Sequence, residues 1–289
     1  MRIDRWIKKS TSSLNGKTVV ISGSTGGLGR ELCFYLAGLG ADLVLLDRNS
    51  EKSKAFAEEL RLAFPKIEVS HIQADMSDLN SVRGATDKLL QFKVDYLILN
   101  AGAYSIPRYI TKERYDNVFT INFISPYYIT RRMLPYIKAR GGKIVAVSSI
   151  AHNYSVIDEG DVDFRGRNAA SLVYGNAKRY LTFSLLALDE ESIVITHPGI
   201  SFTGITNHYP KLIFALIKQP MKIIFPHPRV ACLSILSGLF TNCKNNEWIG
   251  PCLFDIWGLP KKKKLRTAGK SEVIKISSIA DEIYKKTNI

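Results

Sequence analysis

Tyr174 and Lys178 stand four residues apart in the stretch 171–181, SLVYGNAKRYL. Side chains at this spacing are neighbours on one face of a helix, so a phenol and an ammonium could share one cleft. A free phenol has a pKa of about 10, and a nearby positive charge favours its ionised form. The pair has the composition of an acid–base site, but the same spacing also arises by chance on an ordinary helix surface.

A glycine-rich stretch, ISGSTGGLGRE, follows the first β-branched run of the chain. Gly23, Gly27 and Gly29 permit a tight turn and a close approach of the backbone to a pyrophosphate, which the N-terminus of the next helix attracts. The spacing is GxxxGxG, and such a turn alone is a weak signal because it also serves as a simple bend. Its position between a strand and a helix supports nucleotide binding.

Asp47 ends the second β-branched run and is followed by Arg48. It comes 18 residues after Gly29, near the distance of about 20 residues at which an acidic side chain meets a ribose. A carboxylate there accepts a hydrogen bond from the 2′-OH of NAD and repels the 2′-phosphate of NADP, whereas a guanidinium binds that phosphate. The pattern favours NAD, with NADP as the alternative. Asp47 could also be a polar turn residue before a helix.

Short apolar runs alternate with helical patterns from residue 16 onward. The runs KTVVISG, ADLVLLD and VDYLILNAG are apolar enough to be buried on both faces, which is typical of parallel strands joined by helical crossovers. Ser50 is the expected N-cap of the helix after the second run, and a long helix is expected over 112–139. The sequence therefore predicts a single-domain α/β fold with a doubly wound parallel sheet of Rossmann type.

The composition narrows the class of protein. With 46% hydrophobic and 23% charged residues, the chain is typical of a globular protein. Its four cysteines form no CxxC pair, so we expect neither a metal site nor a disulfide framework, and a reducing, cytoplasmic compartment is favoured. No apolar run reaches the ~18 residues of a membrane span. The basic N-terminus, MRIDRWIKKS, lacks the apolar centre of a secretion signal.

Seven motifs, taken together, resemble those of the short-chain dehydrogenase/reductase superfamily over nearly the whole chain. In chain order they are SGSTGGLG, ADMSD, LNAG, TINFISPYYIT, IVAVSSIAH, YGNAK and HPGISFT. Ser22 and Leu99 stand where the family usually has threonine and asparagine. The resemblance implies an NAD(P)-dependent enzyme that interconverts an alcohol and a carbonyl compound by hydride transfer. It also implies that the pairing of Tyr174 with Lys178 is catalytic.

The resemblance implies four catalytic residues. Tyr174 would move the proton of the substrate oxygen, with its pKa lowered by Lys178 and by the positive nicotinamide ring. Lys178 would also bind the nicotinamide ribose, Ser149 would orient the substrate oxygen, and Asn122 would hold a water that links Lys178 to solvent. Ser148 is the alternative to Ser149, which is preferred for its position in IVAVSSIAH. Strand-end and helix-interior roles for Ser149 and Asn122 stay open.

The same resemblance implies a set of cofactor-binding residues. They are Gly23, Ser24, Gly27, Leu28, Gly29, Asp47, Arg48, Asp75, Met76, Asn100, Ala101, Gly102, Tyr174, Lys178, Pro198, Gly199 and Thr203. Asp75 and Met76 would contact the adenine, and the last three would lie near the nicotinamide. His197, beside Pro198, is interpreted as a buried strand end and not as an acid–base residue.

Ser149 and Tyr174 are 25 residues apart, a longer separation than the family's commonest form. The intervening HNYSVIDEGDVDFRGRNAASLV resembles the insertion of the retinol-dehydrogenase-like branch, as does SSIAH. The superfamily does not fix the substrate.

Residues 205–225, ITNHYPKLIFALIKQPMKIIF, mix large apolar side chains with Lys211, Lys218 and Lys222. In the resembling family this region is the variable lid over the substrate. A lid of this apolar character favours a bulky lipophilic alcohol or ketone as the substrate. Its lysines permit peripheral contact with an anionic membrane. The alternative is a helix pair that packs on the core or on a second subunit.

The expected organisation is an N-terminal extension over 1–15, a catalytic domain over 16–260 with a substrate lid near 200–227, and a basic C-terminal tail over 261–289 with a short helix. Family members often form dimers or tetramers, so a homo-oligomer stays open. The net charge of +14 could attract nucleic acid, but no binding motif accompanies it, so no nucleic-acid partner is expected. A non-catalytic dinucleotide-binding sensor or scaffold is the other function considered, and the intact set of four catalytic residues argues against it.

Overall fold

The computed structural model describes residues 2–199, 226–244, 246–265 and 269–287. The strands in these ranges are β1 (Thr18–Ser22), β2 (Asp42–Asp47), β3 (Val69–Gln73), β4 (Val94–Leu99), β5 (Lys143–Val147), β6 (Ile193–Thr196), β7 (Glu247–Leu253) and β8 (Trp257–Lys264). The helices are α1 (Arg2–Ser10), α2 (Gly27–Gly38), α3 (Ser50–Ala63), α4 (Leu79–Leu89), α5 (Asn117–Phe119), α6 (Ser125–Ala139), α7 (Ala170–Ala187), α8 (Pro228–Ala231), α9 (Leu233–Phe240) and α10 (Lys270–Thr287).

One sheet joins these strands in the order β3-β2-β1-β4-β5-β6-β7-β8. Neighbouring strands from β3 to β7 are parallel, and β8 pairs antiparallel with β7. Strand order reverses between β1 and β4, which creates a crevice at the carboxyl ends of the strands. The predicted doubly wound Rossmann-type sheet is confirmed. β7 and β8 were not anticipated, because the lysine-rich PKKKK of β8 has the composition of an edge strand and not of a buried one.

Alternate residues of the strands enter two separate hydrophobic clusters, one on each face of the sheet. Val19 and Ile21 of β1 pack with α2, α3 and α9, whereas Val20 packs with α4 and α6. Because both faces are covered by helices, most positions of the central strands are buried, which explains their continuous apolar runs. The sheet is thereby a rigid base for the loops at its carboxyl edge.

Two local expectations differ from the structure. The N-cap of α3 is Asn49, whose side chain accepts a hydrogen bond from the amide of Lys52, and not Ser50. The helix expected over 112–139 begins only at Asn117, because Asp116 caps it through the amides of its second and third residues. It then passes through a π-helical turn, Thr120–Ile124, before α6.

The C-terminal part of the chain belongs to the same body as the sheet. The tail expected to start at 261 begins inside β8, and α10 is an 18-residue helix rather than a short one. α10 packs on α6 and α7, where Ile276, Ala280 and Ile283 share one cluster with Tyr127 and Tyr180. In the part of the chain that the structure describes, no helix combines the length and the apolar character that crossing a membrane requires.

Candidate active site

The glycine turn after β1 is held by the element that follows β4. The side-chain amide of Asn100 donates to the backbone oxygens of Ser22 (3.0 Å) and Gly23 (3.1 Å), and the amide of Ala101 donates to the Ser22 hydroxyl (3.0 Å). A Cβ at Gly23 would lie 3.0 Å from the Cα of Ala101, and one at Gly29 would lie 2.1 Å from the Gly23 oxygen. Gly23 also has φ +69°, so this close crossing of two chain segments requires glycine.

The N-terminus of α2 opens at this turn. Its N-cap is Gly26, which has no side chain to cap the first amides, and no acidic residue stands in the first helical turn. Free amides and the positive end of the helix dipole suit the pyrophosphate of a dinucleotide. The residues present here therefore fit such a cofactor.

Asp47 is buried, with 3% of its surface exposed. Its carboxylate accepts hydrogen bonds from the hydroxyls of Ser24 (2.5 Å) and Ser53 (2.9 Å), and from the amide and hydroxyl of Thr25 (both 3.3 Å). Both carboxylate oxygens are thus engaged by the chain, which ties the glycine turn to α3. Arg48, in contrast, is exposed. The turn-stabilising role left open for Asp47 by the sequence is the one that its contacts support.

Tyr174 and Lys178 lie on α7, beside the carboxyl end of β5. The ammonium of Lys178 donates to the backbone oxygen of Val147 (2.8 Å) and lies 5.6 Å from the centre of the Tyr174 ring. Burial lowers the pKa of Lys178 to about 7. Burial raises the pKa of Tyr174 to about 12, against a smaller lowering by its hydrogen bond with Ser149. In the protein alone, the expected lowering of the Tyr174 pKa by Lys178 is thus absent, because desolvation dominates.

The two candidate serines have different partners. The Ser148 hydroxyl is buried and hydrogen-bonded to the Thr182 hydroxyl (2.5 Å). The Ser149 side chain is hydrogen-bonded to Tyr174 and also accepts from the amide of Ala151 (3.2 Å). The geometry therefore supports the preference for Ser149, whose catalytic role stays a prediction.

Asn122 lies in the π-helical turn Thr120–Ile124. Its side chain bonds to both backbone groups of Ala103, at 3.2 and 2.8 Å, and donates to the oxygen of Val118 (2.8 Å). A Cβ at Gly102 would lie 2.9 Å from the Asn122 side-chain oxygen and 3.6 Å from the Lys178 nitrogen. The side chains of Asn122 and Lys178 thus approach each other beside Gly102, as a proton relay between them would require. Single π turns of this kind are frequent at functional sites.

The remaining predicted residues lie at the same edge of the sheet or outside the described residues. The Asp75 carboxylate accepts from the amide (2.9 Å) and hydroxyl (2.7 Å) of Ser77, and the oxygen of Met76 accepts from Ser125. Pro198 and Gly199 follow β6 after His197. Thr203 and the proposed lid segment 205–225 lie outside the described residues.

Sequence reasoning missed an aromatic neighbour of the site. Tyr104 meets the Tyr174 ring edge-on, with the ring centres 5.3 Å apart and the planes at 88°. Ile106 and Phe164 pack in the same small cluster as Tyr174. Phe164 belongs to the insertion before α7, so the insertion contributes to the walls around Tyr174. The available signal was an aromatic residue between two charged residues in the insertion, DFR.

Residues 17–159 match the short chain dehydrogenase family. Human retinol dehydrogenase 13 is 27% identical over 209 residues, which cover 69% of this chain and 63% of that protein. The bovine dehydrogenase/reductase SDR family member 13 is 30% identical over 233 residues, 76% of this chain and 61% of that protein. The chain belongs to the short-chain dehydrogenase family. The resemblance to its retinol-dehydrogenase-like branch is confirmed by these relatives.

A third relative of this chain is mouse polyprenol dehydrogenase, 27% identical over 210 residues, 67% of this chain and 62% of that protein. The chain therefore matches less than two thirds of the length of each of these relatives.

Solved structures agree on the fold of this chain. An uncharacterised protein from Mycobacterium paratuberculosis superposes with a TM-score of 0.69 at 22% identity, covering 97% of this chain and 95% of that chain. A short-chain dehydrogenase/reductase from Burkholderia phymatum, solved in complex with NAD, gives a TM-score of 0.58 at 20% identity, with coverages of 78% and 86%.

Proposed function

We propose that this protein is an NAD(P)-dependent oxidoreductase that interconverts an alcohol and a carbonyl compound. The observation that supports the proposal best is the meeting of Ser149, Tyr174 and Lys178 beside a backbone cradle that suits a pyrophosphate. A dinucleotide-binding sensor would need the cradle alone. The nicotinamide cofactor, when bound, supplies or accepts the hydride.

The residues of the chain would handle the proton. Tyr174 holds its proton at neutral pH, since burial raises its pKa to about 12, and can donate it to a carbonyl oxygen as that oxygen becomes an alcohol. Ser149, hydrogen-bonded to the same phenol, would orient the substrate oxygen. Lys178 has a pKa of about 7, so it gains and loses a proton near neutral pH and can resupply Tyr174. Asn122, whose side chain lies beside Gly102 as Lys178 does, would connect that ammonium to solvent through a water.

The choice between NAD and NADP would depend on Arg48 more than on Asp47. Asp47 has both carboxylate oxygens engaged by Ser24, Thr25 and Ser53, so its capacity to accept from a ribose hydroxyl is largely used. Arg48 is exposed at the carboxyl end of β2 and offers a guanidinium to a 2′-phosphate. We therefore propose NADP as the cofactor, in place of the NAD that Asp47 favours in the sequence.

A bulky, lipophilic alcohol or ketone is the substrate class that we propose. The apolar composition of 205–225 supports it, as do Ile106 and Phe164, which pack beside Tyr174. Two relatives carry the names retinol dehydrogenase and polyprenol dehydrogenase, and both names denote lipophilic alcohols.

The test is a panel of alcohols and carbonyl compounds of increasing apolar size, read by the absorbance of the reduced cofactor with NAD and NADP in parallel. We expect turnover with NADP that improves as the apolar part of the substrate grows. Activity confined to short polar alcohols would refute the proposal of a lipophilic substrate but not the proposal of an oxidoreductase. Tight cofactor binding without turnover of any member of the panel would instead favour the sensor.

A further inference from the structure

Trp248 of β7 is buried between two histidines that flank the candidate site. The His197 ring stacks on the indole, with centres 4.1 Å apart and planes at 27°. The His152 ring meets the indole edge-on, with centres 5.1 Å apart and planes at 88°. His152 and His197 are fully buried, and Trp248 is 5% exposed. Trp248 and His197 lie outside the segment 17–159 that matches the family, so this stack joins two distant parts of the chain.

His152 holds the backbone of Ser149. Its Nδ1 lies 2.6 Å from the Ser149 carbonyl oxygen, which also accepts from the His152 amide (3.2 Å). A carbonyl oxygen only accepts, so Nδ1 carries the proton and the tautomer is fixed. Burial lowers the pKa of His152 to about 4, so the ring is neutral. The peptide of Ser149 is thereby fixed at the point from which its side chain reaches Tyr174.

His197 holds the turn after β6 in the same manner. Its Nδ1 accepts from the amide of Gly199 (3.2 Å), so Nε2 carries the proton and donates to the carboxylate of Asp255 (3.0 Å). Gly199 has φ +77°, and a Cβ there would lie 2.9 Å from the oxygen of Ile256. The turn that the family resemblance assigns to the nicotinamide is therefore fixed by His197 on one side and by the β7–β8 hairpin on the other.

Each histidine has a charged anchor from the C-terminal part of the chain. Arg179 donates to the His152 oxygen (2.9 Å) and pairs with Glu272 of α10 at 2.5 Å. On the other side, Lys263 of β8 bonds the Asp255 carboxylate at 2.6 Å. Each histidine is thus held in place by an ion pair that involves the C-terminal part of the chain, as well as by its ring contact with Trp248.

We propose that His152, Trp248 and His197 form a positioning stack, which sets where Ser149 stands relative to the Gly199 turn. The inference rests on the proposed function, because Ser149 would hold the substrate oxygen and the Gly199 turn would face the nicotinamide. Hydride transfer requires these two groups at a defined separation, and a displacement of about 1 Å can lower a rate by about a hundredfold. The stack is a rigid spacer between them, since planar rings in a dry contact resist compression.

The first experiment separates the two contacts of His152. His152→Phe keeps a ring against Trp248 but removes the donor to Ser149, whereas His152→Asn loses the ring and keeps an N–H near the Nδ1 position. We expect kcat to fall by about 10- to 100-fold in both variants, because the Phe variant loses the hold on Ser149 and the Asn variant loses the ring contact with Trp248, with KM for the cofactor unchanged in both. A parental kcat in the Asn variant would overturn the spacer. His71→Leu, on β3 at the far edge of the sheet, is the matched control and should leave kcat unchanged.

A double-mutant cycle with Ser149→Ala tests whether His152 acts through Ser149. The rate of hydride transfer is measured in a single turnover with enzyme in excess, so that slow variants still give a measurable signal. The cost of His152→Phe should vanish when Ser149 is already alanine. An equal cost in both backgrounds would overturn the positioning role, since the substitution would then act on the fold in general.

The experiment on His197 measures cofactor binding and not turnover. Its outcome is therefore independent of the proposed function. His197→Leu removes the acceptor of the Gly199 amide, whereas His197→Asn retains a side-chain oxygen near it. By calorimetry, the Leu variant should bind NADPH about tenfold more weakly, the effect of one lost hydrogen-bonded contact. Its affinity for 2′-phospho-ADP-ribose, which lacks the nicotinamide, should not change. Equal losses for both ligands, or no loss for either, would overturn the stack. Cofactor binding without turnover of any alcohol or carbonyl compound of the panel would instead overturn the proposed function.

Discussion

Replacing Asp47 by alanine distinguishes a structural clamp from a cofactor-selecting residue. The buried carboxylate accepts from the hydroxyls of Ser24 and Ser53 and from two groups of Thr25. Hydrogen bonds to a charged group contribute about 1.5–3 kcal/mol each, and they share one acceptor, so we do not add them in full. The loss of the carboxylate should lower the free energy of unfolding by roughly 3–5 kcal/mol, within the range for breaking a buried polar network.

The assay is urea denaturation followed by circular dichroism, together with calorimetric titration of NAD and NADP. Arg48→Ala is the matched control, because Arg48 is the exposed next residue. It should change the free energy of unfolding by no more than about 0.5 kcal/mol and weaken NADP selectively. An Asp47→Ala protein of parental stability that gains affinity for NADP would refute the clamp. It would restore Asp47 as the residue that selects NAD.

Three further outcomes are expected. Tyr174→Phe should lower kcat by about 10²–10⁴-fold with the calorimetric Kd for the cofactor unchanged, and near-parental turnover would disprove the acid–base role. The pKa of Lys178 falls from 10.5 to about 7 on folding. Between these two pH values the unfolded chain therefore binds more protons at Lys178 than the folded chain does. The free energy of unfolding should therefore rise with pH from about 7 to 10, and urea denaturation of Lys178→Met should show this rise removed. Liposome sedimentation should detect binding that needs anionic lipid and weakens with salt; Lys218→Glu with Lys222→Glu should abolish it, and unchanged sedimentation would remove the membrane contact.

The fold class could be predicted because its determinants are local. The alternation of buried runs with amphipathic helices, and the glycine turn between β1 and α2, are written within short windows of sequence. Elements whose signal is weak or contextual were missed. β8 carries four consecutive lysines, and its strand conformation follows from pairing with β7 at the edge of the sheet. The π-helical turn that carries Asn122 has no sequence signature of its own.

The sequence by itself determined which residue types are available to the site and in what order they follow the strands. Only the tertiary structure decided what each one faces. The Asp47 carboxylate accepts hydrogen bonds from Ser24 and Ser53, and His152 and His197 meet across Trp248 although Trp248 follows His152 by 96 positions. The physical reason is that hydrogen bonds and ring contacts between distant segments depend on how the helices and strands pack. No local pattern of residues contains that information.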